Sequence, residues 1–139
     1  MTASSTFLRR AVRPIALFGA LAVGVAAPAV AQAPGLTVLA KLNKGSWVLR
    51  DRSDNASQRV CLRSGAELLQ RDHAAYRCKR FVVADEARTL DVQYTCPGHG
   101  YGRTTIRFEN PELIQMQTQG IRDGRPFNRN MEARRVGSC

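Results

Sequence analysis

The sequence predicts a mainly β domain, an antiparallel meander or small curled barrel-like sheet of about seven strands with one short helix, stapled by disulfides. Three observations lead there. Apolar and polar residues alternate with a period of two through most of the stretch from Tyr76 to Val136, the pattern of antiparallel strands with one face in water. Clusters of turn residues at Asp51 to Ala56, Asp85 to Arg88, Asn110-Pro111 and Asp123-Gly124 cut that pattern into strand-length runs. Four cysteines, Cys61, Cys78, Cys96 and Cys139, follow an N-terminus built for export, and an oxidising compartment turns such thiols into structural bridges.

The leader comes first. Arg9, Arg10 and Arg13 precede an apolar stretch from Ile15 to Val30, and Ala29-Val30-Ala31 supplies small residues for signal peptidase. Residues 1–31 therefore read as a cleavable signal peptide, with Ala31-Gln32-Ala33 as a neighbouring cleavage site. Gly19, Gly24 and Pro28 interrupt the apolar stretch, which is short for the ~20 residues of a membrane span. The expected location is periplasmic or secreted, and the cleaved chain is expected not to be an integral membrane protein. What remains is an N-terminal lead-in at 32–44 and a single β-rich domain at 45–139.

Within the domain, Trp47 and Leu49 share one face of a first strand, which a polar turn joins to a second at Ser57 to Leu62. Ser64-Gly65-Ala66-Glu67 has the form of a capping box ahead of Leu68-Leu69, so a short helix ending near Asp72 is expected. Phe81 and Val83, then Leu90, Val92 and Tyr94, mark the next two strands, with Trp47 and Phe81 as core anchors. The glycine-bearing run from Cys96 to Gly102 reads as a loop. Ile106 and Phe108 resume an inward face, Ile114, Met116 and Thr118 oppose Gln115, Gln117 and Gln119, and a last strand runs from Pro126 to Val136.

Four cysteines allow three pairings. If the Asp85 turn sets Val83 against Leu90 and Phe81 against Val92, Cys78 lies opposite Thr95 and misses Cys96 by one residue. That register favours Cys61 with Cys78 and Cys96 with Cys139. A slip of one residue would set Cys78 across from Cys96 and leave Cys61 for Cys139.

The chain carries a formal net charge of +10, and nearly all basic residues beyond the leader are arginines spread from Arg50 to Arg135. Guanidinium forks match carboxylate and phosphate geometry, so an anion-binding face is expected. The expected partner is an anionic envelope component, lipid or cell wall, or an acidic protein. Nucleic acid is not expected, since no helix-turn-helix, aromatic RNA-binding strand motif or zinc finger appears. Cys96-Pro97-Gly98-His99 has the spacing of half a zinc site, but no second half follows, so neither a metal nor another cofactor is expected.

Catalysis needs a nucleophile, a base and a group that orients the base. The histidines are His73 and His99 alone, and no nucleophile elbow, His-Glu-x-x-His or P-loop is present. No catalytic residue is assigned, and a non-enzyme is expected. His99, Tyr101 and Arg103 form the candidate ligand corner, an aromatic able to stack on a ligand beside an imidazole and a cation.

Gly45-Ser46-Trp47, Cys61-Leu62, Tyr94-Thr95-Cys96 and Glu132-Ala133-Arg134-Arg135-Val136-Gly137-Ser138-Cys139 together resemble a family of small exported bacterial proteins catalogued as a domain of unknown function. The similarity runs over most of residues 45–139. It implies a periplasmic domain with paired cysteines, and it implies no activity. This chain is shorter in its early segment, where relatives often carry a Met- and Gly-rich loop. The leading functional expectation is a non-enzymatic binding or envelope-associated module. A small disulfide-stapled enzyme inhibitor, or an enzyme using His99, is the alternative.

Overall fold

A computed structural model describes residues 36–139. The signal-peptide reading of residues 1–31 and the start of the lead-in lie outside the described residues.

Seven antiparallel strands form one sheet: β1 (Gly45–Asp51), β2 (Ser57–Leu62), β3 (Lys79–Asp85), β4 (Thr89–Cys96), β5 (Gly100–Asn110), β6 (Leu113–Arg122) and β7 (Arg125–Gly137). Their order is β2-β1-β7-β6-β5-β4-β3. The last five strands make a meander, and the β1–β2 hairpin docks on its end through β7. Since β2 and β3 end the order and do not pair with each other, the sheet does not close into a barrel.

This order obliges the chain between β2 and β3 to travel from one edge to the other, and it crosses a single face. Thr104 of β5 donates to the Leu69 carbonyl at 2.9 Å, and Arg129 of β7 donates to Asp72 at 2.9 Å. The crossover forms two 3-10 turns, Ala66–Leu68 and Arg71–His73, in place of the helix expected there. Glu67 does accept the Ser64 N–H as a capping box requires. Gly65, however, sits at φ +84° against Leu39, so it cannot be the first helical residue after a Ser64 cap, and only a 3-10 turn starts beyond it at Ala66. The short helix is instead α1 (Thr37–Ala40), in the lead-in.

One core joins these parts. Val38, Leu39 and Leu42 from the lead-in and Leu68 and Leu69 from the crossover pack on Trp47, Leu49, Leu90, Val92, Ile106 and Ile114 of the sheet. Trp47 also satisfies its indole by donating to the Asn43 carbonyl at 3.0 Å. A fully buried Leu contributes about 1.5 to 3 kcal/mol, against about 1 for a typical hydrogen bond. Apolar burial therefore fastens the crossover more firmly than its individual polar contacts.

Phe81 is 68% exposed and is not a core anchor. The β3–β4 ladder runs one residue out of the expected register, pairing Phe81 with Gln93 and Val82 with Val92. Its turn closes tightly, with the Glu86 N–H on the Thr89 carbonyl at 2.8 Å, and a bulge between Val82 and Ala84 absorbs a residue. The same slip carries Cys78 to Cys96. The bridges are Cys78–Cys96 and Cys61–Cys139, which overturns the pairing of Cys61 with Cys78 and Cys96 with Cys139. Cys61 reaches Cys139 over β1, where Ser46 pairs with both Cys61 and Gly137.

Only Pro97, Gly98 and His99 form the turn expected over Cys96 to Gly102, since β5 already begins at Gly100. Gly102 faces Gly120 of β6, and a Cβ on Gly102 would collide with the Tyr94 hydroxyl. The missing side chain of Gly102 leaves the room in which the Tyr94 ring is buried.

Candidate functional site

The crossover and α1 cover one face of the sheet, and among the described residues the other is open. Strand alternation places on it Arg50 of β1, Gln93 of β4, Arg103, Thr105 and Arg107 of β5, Gln115, Gln117 and Gln119 of β6, and Asn128, Asn130, Glu132 and Arg134 of β7. Pairing lines them up in rows. Gln93, Arg103, Gln119 and Asn128 stand side by side, as do Arg107, Gln115, Glu132 and Arg50, with about 4.8 Å between strands.

A shallow cavity of about 580 Å³ lies over the first row, lined by Gln93, Tyr101, Arg103, Gln119, Ile121 and Asn128 among others. A second, of about 260 Å³, is bordered by Arg52, Thr105, Arg107, Gln115, Gln117 and Asn130. The fold thus brings together two members of the expected ligand corner, Tyr101 and Arg103. His99 lines neither cavity.

Asp91 positions Arg103, accepting its Nε at 2.8 and 3.0 Å and its Nη2 as well. That hydrogen bonding, and then the Asp91 charge, pushes the guanidinium above its ordinary value and holds it cationic. Glu109 pairs with Arg107 at 2.9 Å, and Glu132 is shared by Arg52 at 3.7 Å and Arg134 at 3.4 Å. Asp91, Glu109 and Glu132 are outnumbered by Arg50, Arg52, Arg103, Arg107 and Arg134, so the open face keeps a positive excess.

His99 belongs to a different cluster. Its Nδ1 donates to Asp123 Oδ1 at 2.9 Å, its ring stacks on Tyr76 with centroids 3.7 Å apart, and the Tyr76 hydroxyl donates to Asp123 Oδ2 at 3.2 Å. The bond from His99 first, then that from Tyr76, holds the Asp123 carboxyl below the usual carboxylate range. Among the described residues no serine, threonine or cysteine bonds a ring nitrogen of His99. The arrangement clamps the β4–β5 and β6–β7 turns together. The four cysteines are all bridged, so Cys96 has no thiolate to offer a metal beside His99. Among the described residues no group of three or more His, Cys, Asp or Glu could hold a metal ion, and no helix is long and apolar enough to cross a membrane.

Sequence reasoning missed Arg50, Arg52, Arg107 and Arg134 as parts of one surface. The alternation of Arg103, Thr105 and Arg107, and of Gln115, Gln117 and Gln119, places each set on one face of its own strand. Spacing says nothing about which strands lie side by side.

Compared with family models, curated proteins and solved structures, the chain has no match.

Proposed function

We propose that the protein is a non-enzymatic binding module, periplasmic or secreted, that holds an anionic cell-wall glycan on the open face of its sheet. The observation that carries the reading is the set of uncovered rows of guanidinium and amide groups, such as Gln93, Arg103, Gln119 and Asn128. Amides suit sugar hydroxyls, and guanidiniums suit carboxylate or phosphate groups. Tyr101, 53% exposed at one end of the face, adds a surface for stacking on a sugar ring. A lipid bilayer fits less well, because the interior of the face offers polar groups where a membrane contact would insert apolar ones.

The export-type leader and the two disulfides support a place outside the cytoplasm. The resemblance to small exported bacterial proteins supports it too. Each exposed ionic contact is weak and screened by salt, so affinity would be modest and salt-dependent.

Co-sedimentation with purified cell-wall fragments and, separately, with anionic phospholipid vesicles tests the reading. Retention on wall fragments at low salt is expected, with release at about 1 M salt, where the screening length is about 3 Å. The variant Arg50→Glu/Arg107→Glu/Arg134→Glu should lose retention. Retention on vesicles alone, or none on wall fragments at low salt, contradicts the proposal.

A further inference from the structure

The ladder between β3 and β4 decides where Phe81 stands. Phe81 pairs with Gln93, and Gln93 is exposed on the open face. Arg80, one residue earlier, donates its Nε to Gln70 Oε1 of the crossover at 2.9 Å, so its side chain lies on the covered face. Successive side chains of a strand point to opposite faces. Phe81 therefore stands on the open face, and its 68% exposure agrees.

That placement lengthens the first row. It runs Phe81, Gln93, Arg103, Gln119 and Asn128, one side chain from each strand from β3 to β7. Neighbours in the row are about 4.8 Å apart, so Phe81 stands two strands, or about 10 Å, from Arg103. Because β3 ends the strand order, the Phe81 ring closes one end of the row. Phe81 and Tyr101 are the two aromatics among the exposed large apolar side chains of the described residues, and both stand on this face.

Arg103 supplies the charge. It donates its Nε–H and one Nη2 hydrogen to Asp91, which leaves Nη1 without a partner among the described residues. The edge formed by Nη1 and Nη2 matches a carboxylate or phosphate through two hydrogen bonds. Gln93, between Phe81 and Arg103, offers both donors and acceptors to sugar hydroxyls, as does Gln119 beyond. An extended glycan laid along the row, across the strands, advances by about one ring per strand spacing. A ring stacked on Phe81 then sets the second ring beyond it over Arg103. Fragments of one or two rings reach one of these anchors and not both.

We infer that Phe81 is a stacking subsite at one end of the row, and that the site takes chains of three or more rings with an acid two rings from the one on Phe81. The inference rests on the open face holding an anionic glycan, and it specifies the length and register of that glycan.

Calorimetric titration with peptide-free wall glycan fragments of two, four and six rings tests it. Affinity should rise about tenfold from two rings to four, and less from four to six. Phe81→Ala should remove that rise and leave the two-ring affinity unchanged, while Phe81→Tyr should keep it. A merely structural role for Phe81 would lower binding at every length. Reducing the carboxylates of the four-ring fragment should cost about tenfold. Equal affinity for two and four rings, or a rise that survives Phe81→Ala, overturns the inference; the open-face reading then still stands if retention on wall fragments is lost in Arg50→Glu/Arg107→Glu/Arg134→Glu. Full affinity after carboxylate reduction overturns the acid at Arg103. No binding at any length, with no retention on wall fragments, overturns both.

Discussion

His73 and His99 act in series: buried His73 donates from Nε2 to the His99 carbonyl at 3.1 Å, and His99 donates from Nδ1 to Asp123 at 2.9 Å. The relay ties the crossover, the β4–β5 turn and the β6–β7 turn into one unit. It also leaves Nδ1 of His73 to accept from the Tyr94 hydroxyl, 3.4 Å away. Replacing His73 with Leu deletes both contacts inside the core and should cost about 2 to 3 kcal/mol. His99→Ala breaks only exposed contacts and should cost about 1 kcal/mol or less. Urea denaturation of the two variants checks the difference, and His99→Ala should retain full binding to wall fragments.

The two disulfides should differ in their effect on stability. Cys61–Cys139 spans 78 residues of sequence and Cys78–Cys96 spans 18. In the chain-entropy account, losing the first costs about 4 to 5 kcal/mol and losing the second about 3. Denaturant titration of Cys61→Ser/Cys139→Ser and Cys78→Ser/Cys96→Ser should rank them in that order. Peptide mapping of the unreduced protein should yield these two bridges alone.

Alkali should unfold the protein through Tyr94. Burial pushes its hydroxyl from the ordinary 10.0 up to about 12. A raised folded value means that the contribution to stability is complete below the unfolded value and is lost as pH climbs from about 10 toward 12. The loss should amount to about 2 to 3 kcal/mol over that window. Tyrosinate absorbance should show a late-titrating phase that Tyr94→Phe removes, and the same change should flatten the alkaline limb.

Acid acts on carboxylates. Burial raises Asp51, but the Ser53 N–H at 2.9 Å, the Ser53 hydroxyl at 2.7 Å and Arg129 at 3.4 Å outweigh it and hold the carboxyl below its ordinary 3.8. Asp123 is lowered too, by its bond from His99. Lowered folded values contribute stability that is present above the unfolded value and lost as pH falls through the folded one. Stability should hold steady down to about pH 5 and decline below about pH 4. Asp51→Asn should make that decline shallower in thermal melts across the range.

Strand positions are legible in the sequence because alternation survives any pairing. Leu90, Val92 and Tyr94 are buried and Gln93 is exposed, as their spacing implies. Register is harder to read. At β3–β4 it depends on closure between Glu86 and Thr89 and on the bulge near Val83, and the exposure of Phe81 and the Cys78–Cys96 bridge both follow from it. Gly102 reads as a loop residue until the Tyr94 ring beneath it is known. The open face is the least legible feature, because Arg50 and Arg107 share a row only when β1 docks on β7.

The most direct test of the open-face reading is a titration of isotope-labelled protein with solubilised anionic cell-wall glycan fragments at low salt, followed residue by residue by NMR. The expected result is a set of shifts on the outward positions of β1 and β4 to β7, centred on Arg103, Gln117 and Asn130 and abolished at about 1 M salt. Shifts centred instead on Tyr76, His99 and Asp123, or none at saturating fragment, would contradict it.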